Sequence, residues 1–544
     1  MNKIETFNIA ARLAHWANER PESAALIEIR SGQQRTFKEL EQESSRLASG
    51  LMQFGMNPGD RVLMMVPYGI DFVTLTFAMF KAGLVPVLVD PGLGKKNVLK
   101  CIEQVQPQGM IAIPLAHAIK KIFPGSFKSI KHNVTVGRRW FWGGTTLNKL
   151  HDSGKADFKM AVMEEDHPAA ILFTSGSTGP AKGVLFSHGI FNHQVRILQE
   201  QFGIQAGETD LPTFPLFGLF SSGLGMTSII PDMDATQPAR VNPENIIGPI
   251  KDFKITSSFG SPALWATVSQ YCLDQKIQLP TLKRIIMAGA PVSGDLLARF
   301  ETLVEKDCKI FTPYGATEVL PVSLIDRREI LDETWPLSNQ GEGICVGRPI
   351  AGVDIKIIEV SDQPIAKWAD VTEVGTNIVG EIIVKAAWAT RTYFNRPDLT
   401  ALAKIEDENS FWHRMGDLGR LDEENRLWFY GRKNHRVITK TETLYTIPCE
   451  ALFNQHPDVK RSALVGTGPR TKQEPVIIIE PENSDRVKSL TEQRKFKEEI
   501  LELAVKSSLT QSIKKVLFHS EFPVDVRHNA KIFREKLSLW AEKQ

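Results

Sequence analysis

The residues best equipped for chemistry stand together in Ile171-Leu-Phe-Thr-Ser-Gly-Ser-Thr-Gly-Pro-Ala-Lys-Gly183. An apolar run leads into Thr174, Ser175, Gly176, Ser177, Thr178 and Gly179, and Lys182 follows. Hydroxyls and backbone N–H groups can converge there, the glycines let a polyanion approach the backbone, and the lysine adds a point charge. That is phosphate-binding chemistry. It is not the Walker A pattern, because Ala181 rather than glycine precedes Lys182, and Gly183 stands where Ser or Thr would meet magnesium. A flexible linker would need neither the preceding strand nor the lysine.

Such a loop has to be held by a strand before it and a helix after it. Residues 169–173 supply the strand pattern, and Phe191, Val195, Leu198 and Phe202 recur at helical spacing further on. From about residue 8 to residue 430, apolar runs such as 61–66, 85–90 and 169–173 alternate with helical patterns. Runs that are apolar at consecutive positions predict strands buried on both faces, hence parallel sheet covered by helices. After Gly431 the pattern changes: polar stretches separate two apolar strands, 461–465 and 475–480, from a helix carrying Phe496, Ile500, Leu503 and Ala504. The expected architecture is α/β, with a large multi-subdomain N-terminal domain at 1–431 and a small α+β C-terminal domain at 432–544.

Composition sets outer limits. A chain of 544 residues exceeds a single core, and 42% hydrophobic with 24% charged residues is globular composition. With 65 Lys+Arg against 63 Asp+Glu the net charge is only +2, so no global field recruits nucleic acid. Five scattered cysteines predict neither a zinc cage nor a disulfide framework. The longest apolar candidate, residues 72–80, is far shorter than the roughly 20 residues that span a bilayer, and the N-terminus lacks a secretory pattern. A cytoplasmic protein without a transmembrane segment is expected, with peripheral association to a membrane or a pathway assembly left open.

The 171–183 segment resembles the signature of the adenylate-forming superfamily of acyl-CoA synthetases, luciferases and adenylation domains, with the Pro180-Ala181 order reversed. Further segments match the same family in the same order. Ala288-Gly-Ala-Pro291 resembles the turn lining the adenine pocket, which gives Gly289, Ala290 and Pro291 that place. In Thr312-Pro-Tyr-Gly-Ala-Thr-Glu318 the resemblance puts Tyr314 on adenine, Gly315 and Ala316 along the nucleotide, Thr317 on the α-phosphate and Glu318 on magnesium. An aromatic face, a hydroxyl and a hard oxygen suit those partners. Arg414-Met-Gly-Asp-Leu-Gly419 gives Asp417 the ribose hydroxyls, which a two-oxygen acceptor can hold, and Arg432 reaches ribose or phosphate. His528-Asn-Ala-Lys-Ile-Phe-Arg534 gives Lys531 the point where carboxylate and α-phosphate meet, a place for a cation. The family usually has glycine at the position of Ala530. The resemblance implies ATP and Mg2+ as cofactors, Lys531, Thr317, Glu318 and Lys182 as catalytic residues, and a hinge at Asn434.

Two departures bear on the second half-reaction. Residues 438–445 lack the glycine pair that normally borders the thiol tunnel, so CoA is a less expected acceptor. Gly218 stands where many acyl-CoA synthetases have histidine. Over nearly its full length the chain is similar to the olefin β-lactone synthetases, through Val134-Thr-Val-Gly-Arg-Arg139, Trp142-Gly-Gly-Thr-Thr146 and the Phe522 to Lys531 segment among others. That implies a 2-alkyl-3-hydroxy acid substrate with β-lactone, AMP and pyrophosphate as products, and pathway partners such as a thiolase-like condensing enzyme, a reductase and a β-lactone decarboxylase. The alternatives are an acyl-CoA or acyl-carrier ligase, or a non-catalytic lipid-binding protein on the same fold. His188, His193 and His528 are candidates for a general base by their nearness to motifs. Phe214, Leu216, Phe217, Leu219, Phe220 and Met226 could line a lipid pocket or be core, and core is the default expectation.

Overall fold

The computed structural model describes residues 6–174, 181–525 and 531–544. Two seven-stranded sheets carry most of the N-terminal part. The first runs in the order Thr145–Thr146, His132–Thr135, Gly109–Ala112, Arg61–Met65, Val85–Val89, Pro168–Thr174 and Lys182–Ser187. All its pairings are parallel except the last, an antiparallel ladder that ends with Thr174 opposite Lys182. The second runs Lys309–Phe311, Arg284–Met287, Ser257–Gly260, Thr209–Pro212, Thr227–Ile230, Ala24–Glu28 and Gln33–Thr36, again parallel but for its last pair.

The apolar segment 72–80 lies in the helix Ile70–Lys81, buried at every position except Asp71. It is a core helix whose last residue, Lys81, pairs with Glu41 at 2.6 Å. Among the described residues no helix is long and apolar enough to cross a membrane. The helix His188–Phe202 starts where Ser187 accepts from the Ile190 amide, and it buries Ile190, Phe191, Val195 and Leu198.

The expectation of parallel sheet as far as residue 430 needs correcting. Residues 344–432 hold a six-stranded antiparallel sheet built on Ser410–Leu421, with Leu427–Arg432 and Gly380–Ala386 beside it. Antiparallel strands covered on both faces carry the same unbroken apolar runs as parallel ones, so periodicity could not separate them. The C-terminal part pairs Val459–Thr467 antiparallel with Glu474–Pro481 and adds Lys515–Phe518 in parallel. Its helix Leu490–Val505 buries Phe496, Ile500 and Ala504, with Leu503 partly buried against the same core.

Candidate active site

Four parallel strands of the second sheet end side by side, and each is followed at once by cavity-lining residues. Thr213 and Phe214 follow Thr209–Pro212, Ser261 follows Ser257–Gly260, Ala288 to Pro291 follow Arg284–Met287, and Thr312 to Tyr314 follow Lys309–Phe311. Open α/β sheets bind ligands beyond these carboxyl ends. The cavity measures about 2030 Å³. That exceeds the roughly 300–1,000 Å³ of an ordinary small-molecule site, room for a nucleotide and a second substrate together.

Lys182, Gly289, Ala290, Pro291, Tyr314, Gly315, Ala316, Thr317, Glu318, Asp417, Arg432 and Lys531 all line this one cavity. Ser175, Gly176, Ser177, Thr178 and Gly179 lie outside the described residues, as does His528; Thr174 is described only in its backbone. Sheet register accounts for part of the convergence. Asp417 and Arg432 are direct cross-strand partners, so their side chains meet on one face. Asp417 Oδ1 lies 2.9 Å from Arg432 Nη1 in an ion pair, and Tyr314 Oη donates to Asp417 Oδ2 at 2.6 Å. Burial raises the Asp417 carboxyl above its ordinary pKa while Arg432 and Tyr314 pull it back down. Each carboxylate oxygen has more than one acceptor site, so Asp417 can still accept from ribose hydroxyls.

Glu318 is held by a residue that the sequence did not single out. Tyr393 Oη donates to Glu318 Oε1 at 2.5 Å, and among the described residues no donor meets Oε2. A hard carboxylate oxygen in the cavity lining fits magnesium. Lys182 Nζ lies 4.9 Å from the centre of the Tyr393 ring; burial lowers its pKa and Glu318 opposes that shift. Behind this group Lys404 is buried, donates to the Thr390 carbonyl and to His413 Nδ1, and has its pKa pushed down to about 7 by burial.

The apolar end of the cavity is a wall of aromatic rings. Phe186 stacks on Phe191 at 5.0 Å, Phe191 meets Phe220 at 6.3 Å, Phe220 meets Phe217 at 5.7 Å, and Phe217 stacks on Phe259 at 3.4 Å. All five line the cavity. Phe214, Leu216, Phe217 and Phe220 line the cavity, Leu216, Phe217, Leu219 and Phe220 pack against the core, and Met226 lies in it. Gly218 explains the missing histidine: a Cβ there would sit 2.0 Å from Tyr68 Oη, so the tyrosine already fills the space. Gln194 lines the cavity beside this wall, donating from Nε2 to the Leu320 carbonyl at 3.2 Å, while its buried Oε1 meets no hydrogen-bond partner among the described residues.

Two of the proposed bases are elsewhere. His188 is buried, accepts from the Ile9 amide at Nδ1, and burial pushes its pKa down to about 4. His193 sits between Glu165 and Arg196. Neither lines the cavity.

The family pattern described as AMP-binding enzyme matches residues 13–394. The chain belongs to the AMP-binding enzyme family. This AMP-binding enzyme is 42% identical over 553 aligned positions to an olefin beta-lactone synthetase of Xanthomonas campestris pv. campestris, covering 99% of this chain and 98% of the relative. It is 41% identical to an olefin beta-lactone synthetase of Stenotrophomonas maltophilia, covering 98% of each. Among solved structures, ATP-bound MatB from Rhodopseudomonas palustris superposes with a TM-score of 0.78 at 19% identity over 99% of both chains. An anthranilate CoA ligase in complex with anthranoyl-AMP gives 0.78 at 18% identity over 99% of this chain and 98% of its own. These structures share the adenylate-forming fold, and the enzyme is an ATP-dependent ligase by family.

Proposed function

We propose that this enzyme adenylates a long-chain 2-alkyl-3-hydroxy acid and that the β-hydroxyl then closes a β-lactone, releasing AMP. The observation that carries the reading is the 42% identity over 99% of the chain to a protein named for that product. The site adds independent support. In the first step a carboxylate oxygen attacks the α-phosphorus of ATP and pyrophosphate leaves. Lys531 and Lys182 place cations beside the anions that meet there, and Asp417, Arg432 and Tyr314 hold the nucleoside. Mg2+ held by Glu318 would neutralise phosphate charge.

In the second step the β-hydroxyl oxygen attacks the acyl carbon of the bound adenylate, the C–O bond to AMP breaks, and the hydroxyl proton is released. Nucleophile and electrophile belong to one molecule, so confinement alone raises the rate, with effective molarities that can reach about 10⁵ M. Gln194 Oε1 offers the buried acceptor that would hold the hydroxyl in the apolar end. In the 438–445 segment, which has no glycine, Thr439 and Glu442 close a tight hairpin, and its side chains would obstruct a thiol arm at the place where the family resemblance puts one. Residues 1–431 and 432–544 would act as two domains hinged at Asn434, in a cytoplasmic enzyme that works beside other olefin-pathway proteins.

The test is incubation of the enzyme with a 2-alkyl-3-hydroxy acid, ATP and Mg2+, without CoA. AMP, pyrophosphate and a lactone carbonyl in the NMR spectrum are expected. Product that forms only when CoA is added, and is a thioester, would make this an acyl-CoA ligase instead.

A further inference from the structure

One part of the sequence singled out above takes no share in the cavity chemistry. Residues 104–151 contain no Asp or Glu and seven basic residues, Lys120, Lys121, Lys128, Lys131, Arg138, Arg139 and Lys149, in a chain whose net charge is only +2. The same stretch turns large apolar side chains outward. Leu115 is 67% exposed, Ile122 68%, Trp140 54% and Phe141 81%. Leu115 and Ile122, seven residues apart, share one face of the helix Pro114–Ile122, whose other side buries Ala116 and His117.

The aromatic loop is pinned to that helix. Trp142 stacks on His117 with ring centres 5.3 Å apart and donates from Nε1 to Thr135 Oγ1 at 2.9 Å. Trp140 and Phe141 lie 5.5 and 5.7 Å from the Trp142 ring, so their exposed faces are held in place. The helix also reaches the cavity, which Leu115, Ala116 and Ile119 help to line. Glu103 meets the stretch at Ser126, adding one carboxylate at its edge.

Fixed aromatic rings exposed among cations, with no carboxylate in the segment itself, are the chemistry of an anionic lipid interface. We propose that the helix Pro114–Ile122 and the loop 138–142 dock this enzyme on an anionic bilayer, so that its acyl substrate enters the cavity past Leu115 without crossing water. The substrate's lipid character rests on the proposed function; the docking surface does not.

The experiment uses the full chain and sediments it with vesicles of phosphatidylcholine, with or without phosphatidylglycerol. The protein should sediment with the anionic vesicles and be released by high salt. Arg138→Glu/Arg139→Glu and Trp140→Ser/Phe141→Ser should each lower that partition at least about tenfold, since each basic residue and each buried ring contributes separately. Thermal melts check folding, and Ile122→Asp gives a third reading should either pair fail to fold. Turnover of acid supplied in anionic vesicles should fall in parallel, while AMP release from a short water-soluble 3-hydroxy acid stays unchanged. Wild type that ignores both vesicle types, or variants that bind as well as wild type, would overturn the proposal. So would wild type that self-associates instead, with the association lost in the variants, because the surface would then be a protein contact. If the short acid yields no AMP, the substrate reading fails while the vesicle arm still decides the docking.

Discussion

The two ends of the cavity are built on different principles. At the nucleotide end Tyr314, Asp417 and Arg432 form one chain of contacts, and Tyr393, Glu318 and Lys182 form another. The charges are positioned before any ligand arrives, which is what electrostatic stabilisation of a transition state requires. At the other end five phenylalanines in ring contact and the Gly218 to Tyr68 contact define a volume, and among the described residues Gln194 Oε1 and Tyr68 Oη are its buried side-chain polar atoms without a hydrogen-bond partner. One end is lined by charged groups and the other by apolar rings.

Lys531→Ala should show the largest effect, cutting adenylation about 10²–10³-fold while ATP affinity changes little, as measured by pyrophosphate exchange and calorimetry. Asp417→Ala leaves Arg432 without its partner. Breaking a buried pair costs about 3–5 kcal/mol, and the Arg432 side chain is 35% exposed, which places the loss at the low end in thermal melts together with weaker ATP binding. At the acyl end, Gly218→Ala should cost about 1–3 kcal/mol by driving a Cβ into Tyr68. Tyr68→Ala in the same chain should restore stability, and failure of that rescue would mean the position is intolerant for another reason. Gln194→Leu should lower the preference for 3-hydroxy over unsubstituted acids about tenfold in competition assays while leaving ATP affinity alone.

A further test addresses the layer behind the charged end. Lys404 titrates near pH 7 when folded and near 10.5 when unfolded, so between those values the unfolded chain binds more protons. Stability should therefore rise with pH across that window, by at most about 1.4 kcal/mol per unit from this group, with the full penalty present below pH 7. Lys404→Met should flatten the slope in denaturant titrations at pH 7 and 9.

The sequence by itself determined which segments carry the charged end of the cavity, because each is short and contiguous. Residues 288–291, 312–318 and 414–419 need only their own order to be read, and Lys182, Asp417, Arg432 and Lys531 do line a single cavity. Unbroken apolar runs likewise determined that buried strands exist. Only the tertiary structure decided what those runs pair with, which is why the antiparallel sheet over 344–432 was read as parallel. It also decided that Tyr393, 75 residues beyond Glu318, holds that carboxylate, and that Tyr68 fills the space over Gly218. It decided that Phe214, Leu216, Phe217 and Phe220 face the cavity and that His188 and His193 do not. The reason is the same throughout. Contacts between distant segments depend on the volumes that meet when the sheets and helices pack, and neither spacing nor composition encodes those volumes.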